Sequence, residues 1–178
     1  MSVAKTKTGL GGAAGNKGGV LLRFVYYNTS LCFVCAHFAA HQKQVKERND
    51  DFRQIYEQSQ FVGGSRLKLT PRNHDYVFWC GDLNYRIDMA NDRCRSLIGE
   101  RSWPELLELD QLTVQRKEKN VFKEFYEAPI SFPPTYKYNI LEDTYDRSEK
   151  CRVPAWTGSL LSILFFSLIL YFTHYHHH

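Results

Sequence analysis

The stretch Tyr76–Asp88 constrains the fold of this chain most, because a buried strand there runs directly into polar side chains. Tyr76–Cys80 is apolar and aromatic, which predicts a buried strand, and Gly81 is expected to end it. Polar side chains follow at alternate positions: Asp82, Asn84 and Arg86. A strand that delivers a carboxylate, an amide and a guanidinium to one edge of a sheet predicts an active site at that edge.

The spacing of these polar residues suits phosphate chemistry. In an extended segment residues i and i+2 point the same way, so Asp82 and Asn84 are expected to face one pocket while Leu83 turns into the core. A carboxylate can orient or deprotonate water, an amide can hold a phosphoryl oxygen, and Arg86 can bind a phosphate through two hydrogen bonds. The alternative is a turn in which Asp82 and Asn84 only satisfy backbone donors.

Length and composition bound the class of protein. A chain of 178 residues with 43% hydrophobic residues can bury one sizeable core, so a single domain is expected. The net charge of +4 is mild and spread out, which permits an anionic ligand without demanding nucleic acid. The 5 cysteines lack the spacing of a zinc site, so all are expected to be reduced thiols in a cytosolic protein.

A glycine-rich turn precedes the first long apolar segments. Gly15–Gly19 carries Asn16 and Lys17 and can bring backbone N–H groups close to a phosphate. The alternative is a disordered or simple turn-forming segment. Val20–Tyr27 and Leu31–Phe38 follow, and their β-branched and aromatic residues predict an antiparallel hairpin.

The segments outside the strands predict short helices and a loop. Residues 42–60 predict a helix with a solvated charged face and one buried stripe, formed by Phe52, Ile55 and Tyr56. Residues 62–73 contain glycine and proline and predict a surface loop. Residues 91–99 and 104–112 predict two helices, and residues 122–126 predict a packed helix or 3₁₀ segment.

Two further groups of polar residues are candidate phosphate contacts. His37 lies at the exit of the second hairpin strand, where it can hydrogen-bond a phosphoryl oxygen, although a lone histidine there is also explained by a structural role. Four residues combine aromatic rings with cations later in the chain: Tyr136, Lys137, Lys150 and Arg152. Their donors match phosphate oxygens and predict a pocket for a phosphorylated ring. The alternative is a solvent-facing basic edge.

Two motifs resemble the signatures of the inositol polyphosphate 5-phosphatases. Phe78–Arg86, Phe-Trp-Cys-Gly-Asp-Leu-Asn-Tyr-Arg, resembles the first signature, and Arg152–Thr157, Arg-Val-Pro-Ala-Trp-Thr, resembles the start of the second. Val34–Phe52 and Pro134–Tyr138 are most similar to the synaptojanin branch, and the resemblance covers residues 6–157. It implies an α/β fold, a four-layer α-β-β-α sandwich of the endonuclease/exonuclease/phosphatase type that is incomplete in this chain.

The resemblance also implies roles for individual residues. Asp82 would orient or deprotonate the attacking water. The scissile phosphate would be held by Asn16, His37 and Asn84, with Lys17 and Arg86 as further substrate-binding residues. The 4-phosphate of an inositol ring would be bound by Tyr136, Lys137, Lys150 and Arg152. Mg²⁺ would neutralise developing charge, and its glutamate ligand is expected to lie upstream of this chain.

The implied reaction is hydrolysis of the 5-phosphate of phosphatidylinositol 4,5-bisphosphate and related inositol phosphates. Such a protein would be cytoplasmic and peripheral at the membrane surface, with no nucleic-acid partner. Two alternatives remain: a metal-dependent nuclease of the same fold, and a catalytically inert fragment that only binds phosphoinositide. The sequence makes no prediction of the oligomeric state.

The sequence departs from the family after residue 157. Gly158–Leu161 stands where the second signature continues with an Asp-Arg pair, and the later Ser-Asp-His segment of the family is absent. Residues 153–175 contain no Asp, Glu, Lys or Arg. We therefore expect a partial catalytic domain over residues 1–157. Residues 158–178 would be a non-homologous apolar tail, either a membrane anchor or sequence read through a missed splice junction.

Overall fold

The computed structural model describes residues 1–9, 16–61 and 68–164. In these residues the chain forms a five-stranded sheet whose strands lie side by side in sequence order. The strands are β1 (Ser2–Lys7), β2 (Gly18–Tyr26), β3 (Thr29–His37), β4 (Tyr76–Asp82) and β5 (Gly158–Leu164). The helices are α1 (Val45–Gln58), α2 (Asn91–Gly99), α3 (Trp103–Glu108) and α4 (Gln111–Lys117), with a 3₁₀ helix at Pro71–Asn73.

The order of strand directions places two strand ends side by side. β2 and β3 form the predicted antiparallel hairpin, whereas β4 joins β3 in parallel. A parallel pair requires a crossover connection, which here contains α1 and the 3₁₀ helix. The last residues of β3 and β4, His37 and Asp82, are therefore paired at one edge of the sheet.

Gly81 lies inside β4, so the prediction that it ends the strand is wrong. Its φ is +131°, and a Cβ atom at this position would lie 2.0 Å from the carbonyl oxygen of Ala36 in β3. Only glycine allows this approach of the two backbones. The strand continues through Gly81 and ends at Asp82.

One face of the sheet, which we call the covered face, packs against α1, α4 and the segment around residues 121–125. Leu21, Val34 and Leu161 point from three different strands into this core and are fully buried. Trp79 is also fully buried, and its ring lies 5.2–6.2 Å from five other aromatic rings: Phe38, Phe52, Tyr56, Phe122 and Phe125. Apolar burial on this face is the main stabilising contribution to the fold.

We call the opposite face the open face. Among the described residues, its apolar side chains are partly exposed to solvent. Phe33 is 38% exposed and Leu160 is 65% exposed. A ladder of stacked rings crosses this face through Phe24, Phe33, Phe78 and Tyr76, with centroid separations of 5.8, 5.0 and 6.3 Å. So apolar a surface is typical of a sheet face that receives another layer.

Helix α1 buries more than the predicted stripe. Phe52, Ile55 and Tyr56 lie in the core as predicted, but the prediction of a solvated charged face is wrong for Arg48, Asn49 and Asp51, which are buried. Arg48 Nη1 donates to the carbonyl oxygen of His41 at 2.7 Å, and Asp51 Oδ2 accepts from the backbone N–H of Ala39 at 2.7 Å. These bonds fasten the segment that follows β3 to the helix.

The later helices agree only in part with the prediction. α2 has the predicted bounds, but the predicted helix 104–112 is two helices, because α3 ends at Glu108 and α4 begins after Asp110. The Asp110 carboxylate accepts from the backbone N–H of Thr113 at 2.9 Å and so caps α4. The predicted helix or 3₁₀ segment at 122–126 is wrong, since these residues form turns and a single bridge from Tyr126 to Ser162.

Strand β5 lies beyond the predicted domain boundary at residue 157. Leu161 and Ile163 of β5 belong to the buried core, so residues 158–164 are part of the sheet rather than of a separate tail. The remainder of the predicted tail, 165–178, lies outside the described residues. So do residues 10–15, which include Gly15 of the glycine-rich turn, and residues 62–67 of the predicted loop. Across the described ranges, we find no helix with the length and apolar character needed to span a membrane.

Candidate active site

The register of the sheet brings three predicted site residues to one edge. His37 pairs with Asp82 across the parallel β3–β4 ladder, and Gly18 pairs with His37 from the other side. Lys17 directly precedes Gly18. An ammonium, an imidazole and a carboxylate from three distant segments therefore meet where the strands end.

Lys17, His37 and Asp82 form what we call the edge cluster. Lys17 Nζ lies 2.5 Å from His37 Nε2. His37 Nε2 also lies 3.6 Å from Asp82 Oδ2. Because an ammonium only donates, His37 Nε2 accepts from Lys17 and the ring proton is assigned to Nδ1. The His37 and Asp82 side chains are 51% and 47% exposed. A ligand can therefore reach the cluster from solvent.

Burial, rather than a neighbouring charge, has the largest effect on the pKa of Lys17. Partial burial lowers the pKa of Lys17, Asp82 and Asp51 oppose this shift, and Arg86 adds to it. Burial disfavours the charged ammonium, and a bound anion would stabilise it. The edge cluster is thus suited to contact a phosphoryl oxygen.

Asn84 has a different backbone conformation from the predicted one. Its φ is +57°, so the assumption of an extended segment from Asp82 to Asn84 is wrong. The backbone N–H of Asn84 donates to Asp82 Oδ1 at 3.1 Å, which is the turn considered as the alternative. Leu83 is fully buried, as predicted.

The Asn84 side chain is buried and bonded at both ends. Its Nδ2 donates to the carbonyl oxygen of Phe38 at 3.0 Å, and its Oδ1 accepts from Arg86 Nη2 at 2.8 Å. Arg86 Nε also donates to the Asn84 carbonyl oxygen at 3.0 Å. Asn84 therefore positions Arg86 against the exit of β3, and its direct contact with a phosphate stays a prediction.

A cavity of about 510 Å³, which we call the basic pocket, adjoins Arg86. Four predicted site residues line it: Arg86, Tyr136, Lys150 and Arg152. The guanidinium carbon of Arg86 lies 4.8 Å from the centroid of the Tyr136 ring, a cation–π arrangement. This volume is ordinary for a small-molecule site, and its cations suit a phosphorylated ligand.

A buried carboxylate orients Arg152 in the basic pocket. Arg152 Nη1 donates to Asp146 Oδ2 at 2.8 Å, and Asp146 is only 2% exposed. Hydrogen bonds from Ser148 and then from Arg152 hold the pKa of Asp146 well below its usual range. Asp146 stays ionised and balances the Arg152 charge, while Lys150 is exposed.

Two predicted site residues lie outside both groups. Lys137 does not line the basic pocket; its carbonyl oxygen accepts from the backbone N–H of Asp146 at 2.8 Å. Asn16 is exposed directly before Lys17. The phosphate contacts of Asn16 and Lys137 stay predictions.

Sequence reasoning missed other residues of the pocket and its support. His41 and Gln42 line the pocket because the segment after β3 turns toward it. Their position shortly after His37 was the available signal. Asp146 had no such signal, since a lone carboxylate in a polar segment is usually solvated.

The described residues do not by themselves complete a metal site. In residues 1–9, 16–61 and 68–164 no group of three or more His, Cys, Asp or Glu side chains could hold a metal ion. Asp82 offers an accessible carboxylate, whereas the Asn84 side-chain oxygen is bonded to Arg86.

Comparison with known proteins agrees with this geometry. Human synaptojanin-1 is 52% identical over 161 residues, which are 90% of this chain and 10% of that protein. Mouse type II inositol 1,4,5-trisphosphate 5-phosphatase is 44% identical over 157 residues, which are 86% of this chain and 16% of that protein. The chain therefore spans only a small part of these curated relatives.

A solved structure agrees as well. It is the inositol polyphosphate 5-phosphatase domain of SPsynaptojanin in complex with inositol (1,4)-bisphosphate and calcium ion. It superposes with a TM-score of 0.82 at 44% sequence identity, covering 90% of this chain and 46% of that one. The predicted α/β fold class and the resemblance to the synaptojanin branch are confirmed.

The model of the endonuclease/exonuclease/phosphatase family 2 matches residues 1–165. This span includes both groups of candidate site residues and all five strands. One of these strands, β5, lies in the segment that the sequence predicts to be a separate tail. The chain belongs to the endonuclease/exonuclease/phosphatase family 2.

Proposed function

We propose that the site of this chain serves hydrolysis of the 5-phosphate of phosphatidylinositol 4,5-bisphosphate and related inositol phosphates. The observation that carries the proposal is the placement of the edge cluster beside a pocket lined by Arg86, Lys150 and Arg152. The edge cluster suits the phosphate that reacts, and the basic pocket suits a second phosphate on the same inositol ring. Similarity to two inositol phosphate 5-phosphatases supports this substrate class.

The half-exposed Asp82 carboxylate is the group that acts on water. Its Oδ1 is fixed by the backbone N–H of Asn84, which leaves Oδ2 directed toward His37. A water held by Oδ2 would give a proton to Asp82 as its oxygen bonds to phosphorus. The bond between phosphorus and the ring oxygen breaks, and that oxygen takes up a proton to leave as the ring hydroxyl. The reaction releases inorganic phosphate.

Lys17 is the group that holds the reacting phosphate, and His37 positions its ammonium. Lys17 uses one N–H on His37 Nε2, and its other two donors can reach phosphoryl oxygens. Negative charge that develops on those oxygens strengthens the interaction with the ammonium in the transition state. In this arrangement Asn84 acts through Arg86, which it orients toward the basic pocket.

The basic pocket would bind the ring through its 4-phosphate. Arg152 is fixed by Asp146, so its guanidinium loses little further freedom on binding, while the exposed Lys150 can adapt to the ligand. Tyr136 stacks with Arg86 and supplies an aromatic wall. A membrane surface would present the lipid substrate, and a cytoplasmic, peripheral location is part of the proposal.

Mg²⁺ is the proposed metal of the reaction. A hard divalent cation prefers oxygen ligands, and bound near the phosphate it would supply charge neutralisation. Asp82 is the described residue best placed to contribute a carboxylate. The remaining ligands are not assigned to described residues.

The test is Mg²⁺-dependent phosphate release from short-chain phosphatidylinositol 4,5-bisphosphate by this chain and by Asp82→Asn. The variant keeps the side-chain volume and removes the base, so release should fall by about 10²–10⁴-fold. Asp50→Asn is the matched control, because Asp50 is paired with Lys46 on the surface of α1. Equal release by Asp82→Asn and by the unchanged chain would refute the proposed role.

An inert phosphoinositide-binding fragment is the second candidate. It is favoured by the lack of a complete metal site in the described parts of the chain. In that case neither the unchanged chain nor Asp82→Asn would release phosphate, but the inositol phosphate would still bind and Lys150→Ala would weaken binding.

A metal-dependent nuclease of the same fold would instead cleave DNA in the same buffer, and inositol phosphate would compete poorly.

A further inference from the structure

Two thiols lie side by side on the open face, outside the residues used above. Cys35 of β3 and Cys80 of β4 are direct partners in the parallel ladder. Both side chains are exposed, and both point away from the core because their neighbours Val34 and Trp79 are buried on the covered face. Alternation along two paired strands therefore places the thiols together.

The separation of the strands is compatible with a bond between the two sulfur atoms. Paired residues of neighbouring strands lie about 4.8 Å apart, within the range of about 4.4–6.8 Å between the Cα atoms of disulfide-bonded cysteines. The two thiols also influence each other: burial first, then the charge of Cys35 and a hydrogen bond with it, raise the pKa of Cys80. The pair is therefore close without any rearrangement of the sheet.

The other three cysteines do not share this arrangement. Cys32 is fully buried on the covered face, and Cys94 is fully buried among the helices. Cys151 is exposed in the wall of the basic pocket. All five thiols are free, as predicted.

We propose that Cys35 and Cys80 form a modification site, a dithiol that hydroperoxides convert to a disulfide. The thiolate of one residue attacks the peroxide oxygen, the O–O bond breaks, and a sulfenic acid and hydroxide form. The thiol of the other residue then attacks the sulfenic sulfur, the S–S bond forms, and water leaves. The two thiols are oxidised by two electrons, and one equivalent of hydrogen peroxide becomes two molecules of water.

The position of the two cysteines determines which part of the sheet a disulfide between them would constrain. Cys35 lies two residues before His37 on the same face of β3, and Cys80 lies two residues before Asp82 on the same face of β4. The disulfide would therefore tie the two strands together directly behind the edge cluster. A soft ligand that bridges two thiols, such as a trivalent arsenical, would occupy the same place.

The experiment treats the full chain with hydrogen peroxide, blocks remaining thiols, digests with trypsin without reduction and maps the peptides by mass spectrometry. The expected product joins the peptide of residues 24–43 to the peptide of residues 73–86, with the loss of two hydrogen atoms. Cys35→Ser should abolish this product, and Cys151→Ser should leave it unchanged. Adding a dithiol reductant should remove it.

Three results would overturn the proposal. One is independent oxidation of Cys35 and Cys80 to sulfinic acids without any linked peptide. Another is persistence of the linked product in Cys35→Ser, which would assign the bond to Cys32. The third is that linkage appears only after the chain has unfolded, judged by circular dichroism of the same sample. None of these readouts depends on phosphatase activity.

Discussion

The two faces of the sheet are built from the same five strands but do different work. The covered face holds fully buried side chains such as Leu21, Val34 and Trp79. The open face carries half-exposed His37 and Asp82 at its edge, together with a partly exposed aromatic ladder. Stability is therefore concentrated on one face, while the groups suited to chemistry lie on the other.

The difference shows how one short strand can serve both purposes. Because side chains alternate along a strand, Trp79 anchors β4 in the core while Cys80 and Asp82 lie on the open side. A substitution on the covered face should change the free energy of unfolding. A substitution on the open face should leave that free energy nearly unchanged.

The largest expected effect on stability comes from adjacent leucines of β5. Leu161 is fully buried and Leu160 is 65% exposed. Leu161→Ala leaves a cavity and should lower the free energy of unfolding by about 2–5 kcal/mol, whereas Leu160→Ala should change it by less than about 0.5 kcal/mol. Urea unfolding followed by tryptophan fluorescence measures both. Equal losses would mean that the open face is covered in solution.

A pair of glycines tests the contact between β3 and β4. At Gly81 a Cβ would lie 2.0 Å from the Ala36 carbonyl oxygen, whereas at Gly158 the nearest atom, the Gly81 carbonyl oxygen, is 3.5 Å away. Backbone strain and steric overlap should make Gly81→Ala destabilising by about 2–4 kcal/mol. Gly158→Ala should be tolerated. A stable Gly81→Ala variant in thermal unfolding would contradict the close approach of the strands.

The pH dependence of stability tests the burial of the Asp110 carboxyl. Burial raises the pKa of Asp110 to about 6 from 3.8. Between these values the folded chain binds more protons than the unfolded chain, so the free energy of unfolding should fall as the pH rises from 4 to 6.

The Asp110 contribution should be about 2 kcal/mol, and Asp110→Asn should remove it while keeping an oxygen acceptor for Thr113. Urea unfolding at pH 4, 5 and 6 measures the two slopes. An unchanged slope in the variant would assign the dependence to other acids whose pKa burial raises, such as Asp51 and Glu127.

The smallest expected effect on stability is on the aromatic ladder. Phe33→Ser removes a ring that stacks on Phe24 and Phe78 on the open face. Its free energy of unfolding should fall by about 1 kcal/mol or less, because the ring is already 38% exposed. A loss as large as that of Leu161→Ala would contradict the comparison of the faces.

Much of the fold could be predicted because hydrophobic patterns carry it directly. The hairpin of β2 and β3, the strand β4 and the helix α2 are all visible in the sequence as apolar segments between turn residues. Gly81 was misinterpreted because a glycine that ends a strand and one that allows two backbones to touch look alike in sequence. Arg48 and Asp51 were assigned to solvent because their burial depends on backbone groups of the segment after β3, which a helix pattern does not contain.

The candidate site was predictable in composition but not in conformation. His37 and Asp82 were found from their positions at strand ends, and the parallel ladder brings them together. The positive φ of Asn84 and the bond of its amide to Arg86 could not be read from a spacing of two residues. The role of Asp146 in fixing Arg152 depends on a contact between their side chains, which the sequence does not show.

The position of β4 between β3 and β5 has a consequence for how the chain folds. Its pairing with β3 joins residues 45 apart in sequence, such as Leu31 and Tyr76, and its pairing with β5 joins residues up to 88 apart, such as Tyr76 and Leu164. Long separations delay the gain in contacts until large loops have closed, so folding should be slow. During synthesis the β4 edge would stay unpaired until β5 has left the ribosome, which exposes this strand to aggregation in the nascent chain.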